Sequence, residues 1–232
     1  MTTVLDDATS RRAPFRVPDG VYSPQADSLL LIDALRDANR AVGSRVADLC
    51  SGSGAVALAA AAQGAVAVAA FETSARAVAC ARANAAAAGL DVRVHHGSWT
   101  RAVEFEPFDL VTCNPPYVPH DSEADDGPVA GVPAAASNAG RDGRAVLSPL
   151  CRRASGLLTR GGTMLVVQSE FADVERTVSD LRRAGLDADV VAEQWIPFGP
   201  VLEARARWLE RVGMLDLGRR EERIAVVRAD RA

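Results

Sequence analysis

From Arg45 onward the chain alternates short apolar runs with longer stretches of helical periodicity, and few architectures accept that pattern. Val46–Leu49, Val66–Phe71, Val92–His95, Phe108–Cys113, Thr163–Gln168, Ala188–Trp195 and Ile224–Val227 read as strands. Helical patterns fall at Ala55–Ala62, Ser74–Ala88, Arg144–Leu158, Val174–Ala184 and Val201–Val212. One more helix precedes the first strand, carried by Leu29, Leu30, Ile32, Leu35 and Ala38, with Asp27 or Ser28 as its N-cap. The alternation predicts an α/β fold: a doubly wound, mostly parallel, seven-stranded Rossmann-like sheet with helices on both faces.

Two stretches interrupt the alternation. Residues 118–143 form a long loop rich in Asp, Glu, Pro, Gly and Ala, expected on the substrate side, and loops of that length inside a domain are usually functional or disordered. Residues 197–222 form an insertion before the last strand, expected to cap the site or to make a dimer contact. Its Trp208, Leu209 and Val212 stripe reads more readily as core packing. A length of 232 residues suits one domain over 21–232, with residues 1–20 as a flexible arm.

Composition removes several classes of function. The net charge of -4 gives no global basic field for nucleic acid. Cys50, Cys80, Cys113 and Cys151 show neither metal-ligand spacing nor a disulfide framework, so free thiols in a reducing cytoplasm, and no metal, are expected. Asp6 and Asp7 precede any apolar run, which argues against a secretory signal. The alanine-rich stretch from Ala55 to Ala70, interrupted by Gln63 and Gly64, is too weak for a membrane span.

The turn Asp48-Leu49-Cys50-Ser51-Gly52-Ser53-Gly54 follows the first strand, at the sheet edge where open α/β folds bind ligands. Its glycines allow a sharp turn and close approach of backbone to ligand. Gly52-x-Gly54-x-x-Ala57 with Glu72 downstream also fits a dinucleotide fingerprint, so the turn alone separates cofactors poorly. Asp48 tilts the balance, because a carboxylate there repels a pyrophosphate and suits an α-ammonium. Glu72 fits an adenosine ribose diol in either case.

Asn114-Pro115-Pro116-Tyr117 follows the fourth strand on the same edge. Two prolines fix the backbone and remove two N–H donors, so the segment presents carbonyls. The Asn114 amide oxygen and the Pro115 carbonyl can accept both hydrogens of one planar NH2 group, aiming its lone pair at an electrophilic methyl. Tyr117 offers a flat wall to a planar acceptor. A nicotinamide enzyme has no evident use for this tetrad.

With these residues, the chain resembles the HemK-type protein-glutamine N5-methyltransferases, most closely their short eukaryotic and archaeal branch. The resemblance covers about Val21 to Gly162. It includes Val21-Tyr22-Ser23-Pro24-x-x-Asp27-Ser28 and Asn138-Ala139-Gly140-Arg141-Asp142-Gly143-Arg144. The resemblance implies S-adenosyl-L-methionine as cofactor, held by Ser28, Asp48, Cys50, Gly52, Glu72, Ser98, Trp99 and Asn114. Cys50 stands in place of the family's glycine. Ser98 replaces an aspartate, which forecasts a weaker adenine contact, and Trp99 either packs on the adenine or belongs to the core.

The expected activity is therefore methylation of a protein side-chain nitrogen, such as a release-factor glutamine amide, in the cytoplasm. Asn114, Pro115 and Tyr117 are the catalytic candidates. The alternative is a nucleic-acid methyltransferase acting on an exocyclic base amine, disfavoured by acidity and small size. Asp121, Glu123, Asp125 and Asp126 make either an acidic rim for a basic or glutamine-containing protein loop, or a solvated loop. The short branch works with a small zinc-containing activator subunit, so a partner of that kind is conceivable here. His95 and His96 read as structural, and His120 as a weak site candidate.

Overall fold

The computed structural model describes residues 15–121 and 139–232. Residues 1–14 of the expected arm and residues 122–138 of the long loop, with Glu123, Asp125, Asp126 and Asn138, lie outside the described residues. Helix α1 (Ala26–Ala38) leads into β1 (Arg45–Leu49), α2 (Ala55–Ala62), β2 (Ala67–Glu72), α3 (Ala75–Ala88) and β3 (Val92–His96). A 3-10 turn at Trp99–Glu104 precedes β4 (Phe108–Cys113). Then follow α4 (Leu147–Leu157), β5 (Leu158–Ser169), a second 3-10 turn (Glu170–Ala172), α5 (Val174–Arg183), β6 (Asp187–Pro197), α6 (Pro200–Arg211) and β7 (Glu221–Asp230).

The strands form one sheet in the order β3-β2-β1-β4-β5-β7-β6, parallel except for β7, which runs antiparallel to both neighbours. One face buries Leu31, Leu35, Val56 and Leu165 beneath α1 and α2. The other buries Phe108, Leu150, Leu157 and Val166 beneath α4 and α5. Central strands covered on both sides are largely apolar, as in Met164–Val167 of β5, and the polar Thr112 of β4 is buried with its hydroxyl donated to Asp48. No helix among the described residues is long and apolar enough to cross a membrane.

Several boundaries differ from the sequence expectation. Strand β7 runs Glu221–Asp230 instead of Ile224–Val227, held along its length by pairing with β5 and β6, so Glu221 and Glu222 belong to it and not to the insertion. Helix α1 has Gln25 at its N-cap, extended and without a side-chain bond, because the Asp27 carboxylate is engaged by Tyr22, Tyr117 and Asn114 instead. Asp27 and Ser28, expected as caps, sit in the first turn and are buried. Helix α4 starts at Leu147 instead of Arg144. Gly143 takes φ +71, and the Arg144 guanidinium, 2% exposed, donates to the Ala172 and Asp173 carbonyls, the Thr177 hydroxyl and Asp180. A side chain with that many partners holds its backbone in a turn. Strand β5 begins at Leu158, with a register shift against β4 around the Gly161-Gly162 pair.

Residues 15–20, the described part of the expected arm, run along α3. The Arg16 N–H donates to Asn84, and the Asn84 amide donates back to the Arg16 carbonyl, each at 3.0 Å. In the 197–222 segment, Trp208 and Leu209 are buried with Leu202 and Phe171, whereas Val212 is exposed.

Candidate active site

Strand register brings the two sequence motifs together. β1 pairs with β4 so that Asp48 lies beside Thr112 and Leu49 beside Cys113; Cys50 and Asn114 therefore leave the sheet side by side. β1 pairs with β2 through Leu49 and Phe71, which sets Glu72 against the glycine turn. A cavity of about 370 Å³ opens at this edge, within the roughly 300–1,000 Å³ usual for small-molecule sites.

One end of the cavity is built from the glycine turn. The Glu72 carboxylate accepts from the Gly52 N–H at 2.9 Å and from the Ser74 N–H at 2.8 Å. The Thr73 hydroxyl donates to the same carboxylate at 3.4 Å, and together these bonds brace the turn. Gly52, at φ +54, has open space where a Cβ would stand. Gly54 serves packing, since a Cβ there would lie 3.1 Å from that of Ala81 on α3. Asp48 is 1% exposed and accepts from the Ser51 and Thr112 hydroxyls. Burial outweighs those bonds and raises its carboxyl to about 6, a site that gains from a nearby cation. Cys50 holds φ 57, a left-handed conformation suited to glycine.

Ser98 and Trp99 form the adjoining wall. The Ser98 hydroxyl accepts from the Thr100 N–H at 3.2 Å, capping the 3-10 turn, so part of its bonding capacity is already used. Trp99 lines the cavity and is also a core residue, 7% exposed, with the Arg153 guanidinium 6.0 Å from its ring. The core reading of Trp99 holds, and the side chain also faces the cavity.

At the other end, the Asn114 amide donates from Nδ2 to Asp27 Oδ2 at 3.0 Å and to the Ser28 hydroxyl at 3.2 Å. The same Asp27 oxygen accepts from the hydroxyls of Tyr22 and Tyr117, both at 2.9 Å. Oδ1 accepts from the Ser28 N–H. Asp27 is 3% exposed at the N-terminus of α1, where the helix dipole favours a negative charge. Burial, then Asp27, pushes both tyrosine hydroxyls well above their ordinary range, so they remain neutral donors. Tyr117, expected as a flat wall, is mostly buried and anchored through its hydroxyl.

Of the sequence candidates, Ser28, Asp48, Cys50, Gly52, Glu72, Ser98, Trp99, Asn114 and Tyr117 line this one cavity. Pro115 is buried and does not line it, whereas Pro116 does. His95 stacks on Phe71, and His120 is tied by its N–H to the Gly140 carbonyl; neither lines the cavity. Asp121, the described acid of the expected rim, pairs with Arg141 at 2.6 Å. No group of three or more His, Cys, Asp or Glu suited to a metal occurs among the described residues.

Sequence reasoning missed three contributors: Asp27 as a hub, Glu222, and the α6 N-terminus from Gly199 to Leu202. A signal for Asp27 existed, because it shares one helical face with Leu31, Ala34 and Leu35. A carboxylate on an apolar stripe needs partners.

Seven strands in this order, with an acidic residue near the end of β1 and another ending β2 beside a glycine turn, define the class I S-adenosylmethionine-dependent methyltransferases. The comparisons agree. Residues 13–132 match the family model described as the methyltransferase small domain, and the chain belongs to that family. It is 37% identical over 172 residues to a release factor glutamine methyltransferase of Deinococcus radiodurans, covering 73% of this chain and 61% of the relative. A protein of the same description from Gloeobacter violaceus is 33% identical over 212 residues, covering 83% of this chain and 73% of the relative. Among solved structures, the E. cuniculi Mtq2-Trm112 complex, responsible for methylating the eRF1 termination factor, superposes with TM-score 0.60. That match covers 92% of this chain and 99% of the other, at 18% identity, a likeness of fold.

The residues present fit S-adenosylmethionine. Gly52 offers open backbone, Glu72 offers paired carboxylate oxygens for a ribose diol, and Asp48 offers a buried carboxyl for an α-ammonium.

Proposed function

We propose that this chain methylates the side-chain amide nitrogen of a glutamine in a protein substrate of the release-factor kind. The observation that carries this reading is the pinned Asn114 amide: Asp27 and Ser28 hold its NH2, which leaves Oδ1 as an acceptor. S-adenosylmethionine, when bound, supplies an electrophilic methyl group on a sulfonium. The chain's own residues do the positioning. Asn114 Oδ1 accepts a hydrogen of the acceptor NH2 and orients its lone pair. Asp27, through Asn114 and Tyr117, fixes the geometry of that oxygen. The methylated nitrogen then gives up one proton to water.

Ser28, Asp48, Cys50, Gly52, Glu72, Ser98 and Trp99 form the cofactor end in this reading, and Asn114 touches both ends. A single domain spans 21–232 in this reading, with Val118 and Gly199–Leu202 on the acceptor side. The free thiols of the four cysteines support a reducing, cytoplasmic setting. A small activator subunit belongs to the same reading, supported by the partnered state of the E. cuniculi protein.

The test is calorimetric titration with S-adenosylhomocysteine, followed by labelled methyl transfer to glutamine peptides and their glutamate counterparts. Micromolar binding, with label entering only glutamine peptides, is the expected outcome. Label entering RNA or DNA in preference would overturn it.

A further inference from the structure

Glu222 lies on the same face of β7 as Ile224 and Val226, the face that α1 covers. It is 4% exposed and lines the same cavity as Asn114 and Tyr117. The Ser169 hydroxyl hydrogen-bonds to its carboxyl, but Oε2 has no hydrogen-bond partner. A buried polar atom without a partner is costly to keep, and such atoms concentrate where a ligand completes them. Gly199 to Leu202 of α6 line the cavity beside it.

The glutamine reading leaves one polar atom of the acceptor unaccounted for. Asn114 Oδ1 takes an N–H of the acceptor, and the acceptor's carbonyl oxygen still needs a donor. The hydroxyls of Tyr22 and Tyr117 are committed to Asp27, and the Asn114 NH2 is committed to Asp27 and Ser28. We infer, resting on that reading, that Glu222 is a specificity-determining residue whose Oε2–H donates to the acceptor's carbonyl oxygen. The site then takes a primary carboxamide, which offers that oxygen, and rejects an amine, which does not.

The electrostatics agree. Burial raises the Glu222 carboxyl to about 7, and Asp27 of α1 and Glu170 after β5 push in the same direction. Ser169 and Arg219 oppose them, and the facing hydroxyls of Tyr22 and Tyr117 are neutral. The carboxyl is protonated below neutrality, the state that donates, and that state is lost as pH rises through about 7.

Methyl transfer from S-adenosylmethionine to a single-glutamine peptide and its lysine counterpart, measured between pH 5.5 and 9, tests the inference. Wild type, Glu222→Gln and Glu222→Leu are compared, with S-adenosylhomocysteine affinity and Tm as controls. In wild type, kcat/KM for glutamine should fall with pH above about 7, approaching tenfold per unit. Glu222→Leu should raise KM at least tenfold with cofactor affinity and Tm undiminished. Glu222→Gln, which keeps a donor, should restore most of that loss with a flat pH profile. A Glu222→Leu variant with wild-type KM, a flat wild-type profile, or preference for lysine overturns the inference and leaves the methyltransferase reading standing. Wild type that binds the cofactor yet methylates neither peptide sinks the glutamine reading, and this inference with it.

Discussion

Asp27 Oδ2 lies 3.0 Å from the Asn114 side-chain nitrogen, and this contact orients the Asn-Pro-Pro-Tyr segment. The same oxygen accepts two tyrosine hydroxyls, so one buried carboxylate ties α1, the segment before it and the end of β4 into a single unit. Buried networks of this kind hold only when each member is satisfied.

Asp27→Ala leaves two hydroxyls and an amide without their acceptor. We expect a loss of about 2–4 kcal/mol in stability, from the cost of unpaired buried groups, and a fall in kcat of at least roughly 100-fold. Affinity for S-adenosylhomocysteine should change little. Denaturant melts and single-turnover kinetics separate these effects; a kcat unchanged in a folded variant would show that Asp27 does not orient Asn114.

Asp48 carries a pH signature. Its carboxyl is raised from 3.8 to about 6 in the folded chain, so the fold holds this proton more tightly than the unfolded chain does. That contribution, about 3 kcal/mol at 1.36 kcal/mol per unit, is present below about pH 4 and lost as pH rises through about 6. A ligand ammonium favours the ionised form, so S-adenosylhomocysteine should bind about tenfold tighter at pH 7 than at pH 5. Asp48→Asn should flatten both dependences. Calorimetry across that range reads the outcome, and a wild-type affinity independent of pH counts against the ammonium contact.

Glu72→Gln keeps the size of the side chain but removes the charge that accepts from the Gly52 and Ser74 N–H groups. Loss of charge-assisted bonds to the turn and to a ribose should weaken cofactor-analogue binding by about 10- to 100-fold, or 1.4–2.8 kcal/mol. The KM for the acceptor should stay near wild type. An equal rise in both constants would place Glu72 outside the cofactor end.

At Gly143, φ is +71 and an added Cβ would stand 2.4 Å from the Tyr117 carbonyl oxygen. Gly143→Ala must therefore move the tetrad or the 3-10 turn after β5, because Ala172 lies 3.1 Å away on another side. We expect about 2–4 kcal/mol of destabilisation from strain and overpacking, and a clear drop in kcat. Tm and activity measured together check this. Full activity would mean that the tetrad tolerates displacement.

The sheet, and the meeting of the glycine turn with the tetrad at one cavity, were legible because both are written in local pattern. Apolar runs of strand length between helical stretches give the layers. A turn such as Asp48 to Gly54 has only one place to sit in them, and β1–β4 register then puts it beside Asn114. The acceptor end was less legible because its determinants meet only through packing. Asp27 looked like an N-cap, since Asp and Ser before an apolar stripe carry that signature. Burial against Tyr22 and Tyr117 gives it another task, and neither contact has a fixed sequence spacing. Glu222 opens an alternation continued by Ile224 and Val226, a visible anomaly, but its neighbour Asp27 is far away in the chain. Helix α4 was placed too early because Arg144 suits a helix, and its buried contacts to Ala172, Thr177 and Asp180 cannot be read from the segment itself.

The cavity takes walls from Tyr22 before α1, from Asn114 and Pro116 to Val118 after β4, and from Glu222 at the start of β7. A ligand that touches all three acts as a clasp on the chain, and opening any one of those segments requires letting it go. Bound ligand should slow amide exchange in α1, in β4 and at the start of β7 by a common factor, set by its concentration relative to its dissociation constant.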